Sequence, residues 1–192
     1  IPPETMTMER MIADTIEVAD YLRTRFGQER ILLFGHSWGA YLGIQVAAAA
    51  PERFLAYVGM AQSAHQLRSK TMARDHLIEV FRARDDTGMV RRLEAAPVSL
   101  EAGVSEAWMR LRDRAMHEAG VGHMHQMRSV VTGIFLPVWR VRADTLLDKV
   151  NIWRGKIWSR PFFWEDLPRD DLTARLTRFE RPVYFFTARQ DF

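Results

Sequence analysis

Ile31-Leu32-Leu33-Phe34-Gly35-His36-Ser37-Trp38-Gly39-Ala40 is the stretch that decides how this chain is read. Four apolar residues suited to a buried strand lead into Gly-x-Ser-x-Gly, and a helix-forming run from Tyr41 to Ala50 follows at once. The order is strand, sharp turn, helix, with Ser37 at the apex. Such a turn holds its apex residue in a strained backbone conformation and lifts the hydroxyl clear of the sheet. Small residues two positions to either side let the strand and helix backbones nearly touch, which is the expected task of Gly35 and Gly39. The backbone N–H of Trp38, at the helix N-terminus, is then aimed where an oxyanion would form. Glycine and serine also share many ordinary connections, so the pattern gains its meaning from the strand before it and the helix after it.

Working outward, residues 5–26 carry apolar side chains at three- and four-residue steps (Met8, Met11, Ile12, Val18, Ala19, Leu22), which predicts a helix closed by Gly27. Pro51 ends the helix after Ser37, and Phe54 to Met60 reads as a second buried strand. Strand, helix and strand in that order predict a parallel βαβ unit. From Ser63 to Leu167 helical periodicity takes over with no convincing strand; helices are expected near 66–84, 86–95, 99–119, 123–135 and 142–158. Trp108, Trp139, Trp153, Trp158 and Trp164 crowd into this part, with Met109, Met116, Met124 and Met127. A long helical insertion between parallel strands reads as a lid or cap. Pro182 to Thr187 then reads as a third strand, with Asp191 just beyond its carboxyl end. The expected division is a core segment at 1–62, a helical cap at 63–167 and a second core segment at 168–192.

Composition sets the outer limits. The 192 residues suit one domain with an inserted subdomain, and a hydrophobic content of 47% allows a sizeable core. The net charge is +3, with arginines interleaved among acids (Arg82, Arg84, Asp85, Asp86), so nucleic-acid binding has little support. Without cysteine there is no disulfide and no thiol chemistry, which fits a reducing compartment and makes the cytoplasm the expected location. No apolar stretch approaches the ~20 residues of a membrane span. His123 and His125 form an H-x-H pair that would share one face of a strand as metal ligands; in a helix or loop they would not, and no third ligand is evident, so no metal and no cofactor is expected.

The chain resembles the α/β-hydrolase superfamily, and within it the capped proline-iminopeptidase-like group. The resemblance covers nearly the whole chain. It rests on Gly35-His36-Ser37-Trp38-Gly39, on Pro51-Glu52-Arg53, on Asn151-Ile152-Trp153-Arg154-Gly155-Lys156 in the cap, and on Pro182-Val183-Tyr184-Phe185-Phe186 with Asp191. It implies a partial α/β-hydrolase fold, with three of the roughly eight strands such a fold builds. It also implies Ser37 as nucleophile, Trp38 N–H as half of the oxyanion hole and Asp191 as the acid that orients a catalytic histidine. The implied activity is a serine hydrolase working through an acyl-enzyme on a small peptide, amide or ester, aminopeptidase- or esterase-like. In iminopeptidase-like enzymes cap carboxylates receive a substrate's free amino group, which nominates Glu165; a solvated turn is its plainer role. Trp164 and His65 are the other candidate substrate contacts.

Two departures shape the expectation. In this superfamily the histidine follows the acid, and here only Phe192 follows Asp191; the second oxyanion donor would precede Ile1. The residues therefore read as an internal slice of a longer protein, hydrolytically weak when isolated. None of the histidines present is an obvious substitute. His36 is expected to pack beneath the turn, and His76 and His117 to lie on a solvated surface. Asp170 and Asp171 read as caps of a short helix at 172–176. The alternative function is a non-catalytic ligand-binding or interaction module on the same fold.

Overall fold

The structure is a computed structural model that describes residues 2–99, 101, 103–122, 127, 129, 131–164 and 170–188. The chain divides into two compact units, one of residues 1–66 and 165–191, the other of residues 67–164.

The first unit is a three-stranded parallel sheet with helices on one face. Helix α1 (Met8–Phe26) begins where the Thr7 side chain accepts from Arg10 N–H. It ends at Gly27, whose left-handed φ of 60° lets its N–H turn back to the Arg23 and Thr24 carbonyls. Strand β1 (Ile31–His36), helix α2 (Trp38–Ala49) and strand β2 (Phe54–Met60) follow, with a short 3-10 turn at Pro51–Arg53 between the last two. Strand β5 (Val183–Phe186) pairs with β2, giving the order β1-β2-β5, all parallel. Pro182 precedes β5 at no cost to the ladder, since its carbonyl accepts from Tyr57 N–H.

Helix α2 is apolar on nearly every side, as a helix packed on two sides must be. Tyr41, Ile44 and Ala47 pack with Tyr57, Leu33 and Val183 of the sheet. Val46 and Ala50 pack with Ala19, and Ile12 and Ile16 of α1 join them. On the opposite face of the sheet Leu32, Phe34, Tyr184 and Phe186 are exposed among the described residues.

The second unit is helical. It contains α3 (Gln66–Ala83), α4 (Thr87–Glu94), α5 (Glu106–Ala119), a π-helical turn at Val131–Phe135, α6 (Leu136–Trp139) and α7 (Leu146–Trp164). Its core gathers Leu77, Phe81, Leu93, Trp108 and Ala115. Arg84 caps the end of α5, donating to the Glu118 and Ala119 carbonyls at 2.8 and 3.1 Å. The described residues of this unit are mostly helical, as the periodicity predicts, but the expected helix at 123–135 lies partly outside the described residues and another segment differs. Residues 99–119 are not one helix: a small antiparallel ladder, β3 (Val98–Ser99) with β4 (Gly103–Val104), comes first. Gly103 takes a left-handed φ of 67°, and the Ser105 hydroxyl accepts from Trp108 N–H, so the helix starts only after Ser105. A last short helix, α8 (Leu172–Arg175), leads back into the first unit before β5. No helix among the described residues is long and apolar enough to cross a membrane.

Lys70 sits in α3 with only 5% of its surface exposed. Burial pulls its ammonium pKa down to about 8, and the Arg112 charge adds to the effect. The unfolded chain keeps that proton to about pH 10.5, so between about pH 8 and 10 it binds more protons than the folded chain and stability rises with pH. Above about pH 10 buried Tyr41 and Tyr57 act the other way, because burial keeps their hydroxyls protonated when unfolded tyrosines ionise. Denaturant midpoints measured from pH 7 to 10 should climb for the wild type and stay flatter for Lys70→Met. Parallel profiles would contradict this assignment.

Candidate active site

Ser37 occupies the bend between β1 and α2. Its φ of 55° and ψ of −118° are unusual for a residue with a side chain and carry strain of order 1–3 kcal/mol. The side chain is exposed. Ser37 N–H donates to the Met60 carbonyl at 3.0 Å, while its own carbonyl accepts from Ala40 and Tyr41 N–H at 2.9 and 3.2 Å. The serine is thus tied to the end of β2 on one side and to the first turn of α2 on the other.

Gly35 makes the bend possible. A Cβ there would lie 2.5 Å from the Gly39 carbonyl oxygen and 2.7 Å from Ala40 Cα, too close for any side chain. Gly39 departs from the expectation: a Cβ at that position would meet nothing within 4 Å. Its backbone is the surface that Gly35 approaches, and its own lack of a side chain is not what the contact requires. Trp38 is the first residue of α2, so its N–H belongs to the helix end that favours negative charge.

The carboxyl ends of the three strands line up around Ser37. His36 pairs with Met60 and Met60 with Phe186, and Ala61 N–H donates to the Phe186 carbonyl at 3.0 Å. Ala61 also has a positive φ, of 50°, so two strained residues lie at this edge of the sheet. Nothing in the sequence around Ala61 announced it. The end of β5 is two strand spacings from the end of β1, about 10 Å.

The other candidates fall as follows. Asp191 and Glu165 lie outside the described residues, as do His123 and His125. Trp164 closes α7, and its side chain is likewise outside the description. His36 is exposed at the end of β1 rather than packed beneath the turn. His65 is half-buried and bridges through its backbone to Asp171. His76 and His117 are half-buried in the helical unit, not on a solvated surface. Asp171 caps α8, accepting from Thr173 N–H at 2.9 Å; the Thr173 hydroxyl, also on this carboxylate, holds its pKa below the usual range. Asp170 does something else, accepting from the Tyr41 hydroxyl and from Arg175. Among the described residues no cluster of three or more His, Asp or Glu side chains could hold a metal ion.

The two glycines give a sharp contrast. Gly35→Ala should lower unfolding stability by roughly 2 kcal/mol or more, the scale of a core overpacking clash. Gly39→Ala should leave it unchanged or raise it by up to about 1 kcal/mol, the helix-propensity gain. Chemical denaturation of both variants checks this; equal losses would refute the packing described for the bend.

A family model described as the alpha/beta hydrolase fold matches residues 3–192 of this chain. Among curated proteins, the chain is similar to the probable aminopeptidase YbaC of Bacillus subtilis (strain 168), with 32% identity over 80 residues. That alignment spans 42% of this chain and 25% of the relative. No solved structure matches. With a strand–serine–helix bend at the carboxyl edge of a parallel sheet and a family match that runs almost from end to end, the chain belongs to the α/β-hydrolase fold family.

Proposed function

We propose that the chain carries the nucleophile of a serine hydrolase that works through an acyl-enzyme on a small peptide, amide or ester. The observation that carries this reading is Ser37 itself: an exposed hydroxyl on a strained backbone, at the start of a helix and the end of a parallel strand. A serine hydroxyl is a weak nucleophile until a base takes its proton. In the proposed cycle Ser37 Oγ attacks the substrate carbonyl carbon, and its proton passes to a histidine that then hands it to the leaving group. The tetrahedral oxyanion is met by Trp38 N–H and a second donor. Water, deprotonated by the same base, releases the acid and restores the serine.

Asp191 is the proposed acid behind the histidine. The alignment of strand ends supports this, since β5 finishes at the same edge as Ser37 and Asp191 lies five residues past Phe186. A relative called a probable aminopeptidase favours substrates with a free amino terminus. The helical stretch 63–167 is the proposed cap, with Glu165, Trp164 and His65 as candidate substrate contacts. Within it Trp139 stacks on Phe135 at 5.5 Å and Trp153 tilts against the same ring at 5.2 Å.

A fluorophosphonate probe tests the nucleophile. In the folded full-length protein it should label one site, Ser37, and Ser37→Ala should abolish the label without moving the melting temperature by more than a few degrees. A folded protein that takes no label would instead favour a ligand-binding module on the same fold.

A further inference from the structure

We propose that Tyr41, Gln45, Asp170 and Arg175 form a clasp that positions Ser37, an inference that rests on Ser37 being the nucleophile. The four residues close a ring, three bonds between side chains and the fourth to the Tyr41 backbone carbonyl. The Tyr41 hydroxyl donates to Asp170 Oδ2, and Arg175 Nη2 donates to the same oxygen at 2.9 Å. Arg175 Nη2 also donates to Gln45 Oε1 at 2.8 Å, and Gln45 Nε2 returns to the Tyr41 carbonyl at 2.9 Å. Tyr41 and Gln45 belong to α2, Asp170 precedes α8 and Arg175 is its last residue, so residues 129 positions apart in the chain are joined at one oxygen.

Burial makes the α2 half of the ring specific, while Arg175 is exposed. Tyr41 and Gln45 are 3% and 4% exposed, and Leu172 of α8 packs beside Tyr41 and Ile44. A buried polar group that loses its partner costs more than an exposed one, so the ring resists opening. Burial, aided by the Asp170 carboxylate, also keeps the Tyr41 hydroxyl protonated, and therefore a donor, well above neutral pH.

The link to Ser37 is short. Tyr41 N–H donates to the Ser37 carbonyl at 3.2 Å, so the residue gripped by the clasp is also one that holds the bend. Gly35 supports the first turn of α2 from the strand side, and the clasp holds it from the α8 side. A strained backbone persists only where its surroundings over-determine it. A nucleophile displaced by about 1 Å loses on the order of a hundredfold in rate. The clasp residues touch no reacting atom; they are positioning residues.

The test compares Tyr41→Phe, Asp170→Asn and their double variant with Thr7→Ala. Thr7 caps α1 by accepting from Arg10 N–H and is not a member of the ring, so its variant controls for lost stability. Fluorophosphonate labelling of the full-length proteins is timed well below their melting temperatures, and ester turnover gives kcat and KM. Both clasp variants should label at least about tenfold slower, with kcat reduced and KM within about twofold. The double variant should be no slower than the worse single one, because one ring is opened either way. Thr7→Ala should melt lower and label at the wild-type rate. Clasp variants that melt lower yet label at the wild-type rate would overturn the inference and leave the nucleophile reading intact. An unlabelled wild type would overturn both. If Tyr41→Phe does not fold, Asp170→Asn decides, because it keeps the side chain's size while removing the charge to which Tyr41 and Arg175 both donate.

Discussion

The contact between Gly35 and the backbone of Gly39 and Ala40 is what the rest of this architecture depends on. Any side chain at residue 35 would strike the helix that the strand feeds. Without that close approach, α2 could not begin directly over the end of β1, and Ser37 would relax into an ordinary loop conformation. The unusual φ of Ser37 is the local consequence. The exposed position of its hydroxyl follows from that geometry.

Everything near the bend serves to keep it closed. Helix α2 is buried between the sheet and α1, so it has little freedom to tilt. The ends of β1, β2 and β5 are laced by hydrogen bonds through Met60 and Phe186, so the edge that presents Ser37 is held in register. Tyr57 adds a further tie: its hydroxyl donates to the Ala40 carbonyl at 2.8 Å, within the first turn of α2. A parallel sheet built this way offers one edge for chemistry, and the strain there is balanced by packing elsewhere.

The local features were legible in the sequence because each is encoded by neighbours. Gly-x-Ser-x-Gly after an apolar run announced the bend, Gly27 the end of α1, Pro182 the start of β5, and Asp171 a helix cap. What was not legible depends on chain segments far apart or on backbone angles that composition does not reveal. Asp170 looks like Asp171 in sequence, yet it reaches Tyr41, 129 positions away. Lys70 looks like one more charge on an amphipathic helix, yet it lies inside the helical unit. The β3–β4 ladder was hidden because its strands are two residues each, too short for any period to show. Gly39 fits the motif as well as Gly35, and only the distances separate their roles.

The central claim is that the strained serine is the group that attacks substrate. Rapid-quench turnover of a nitrophenyl ester by the full-length protein, with mass analysis of its peptides, tests this most directly. The account predicts a nitrophenol burst close to one equivalent and an acyl group on the peptide that contains Ser37. Turnover with the acyl group on another residue, or with no covalent intermediate when the reaction is quenched during the burst, would contradict it.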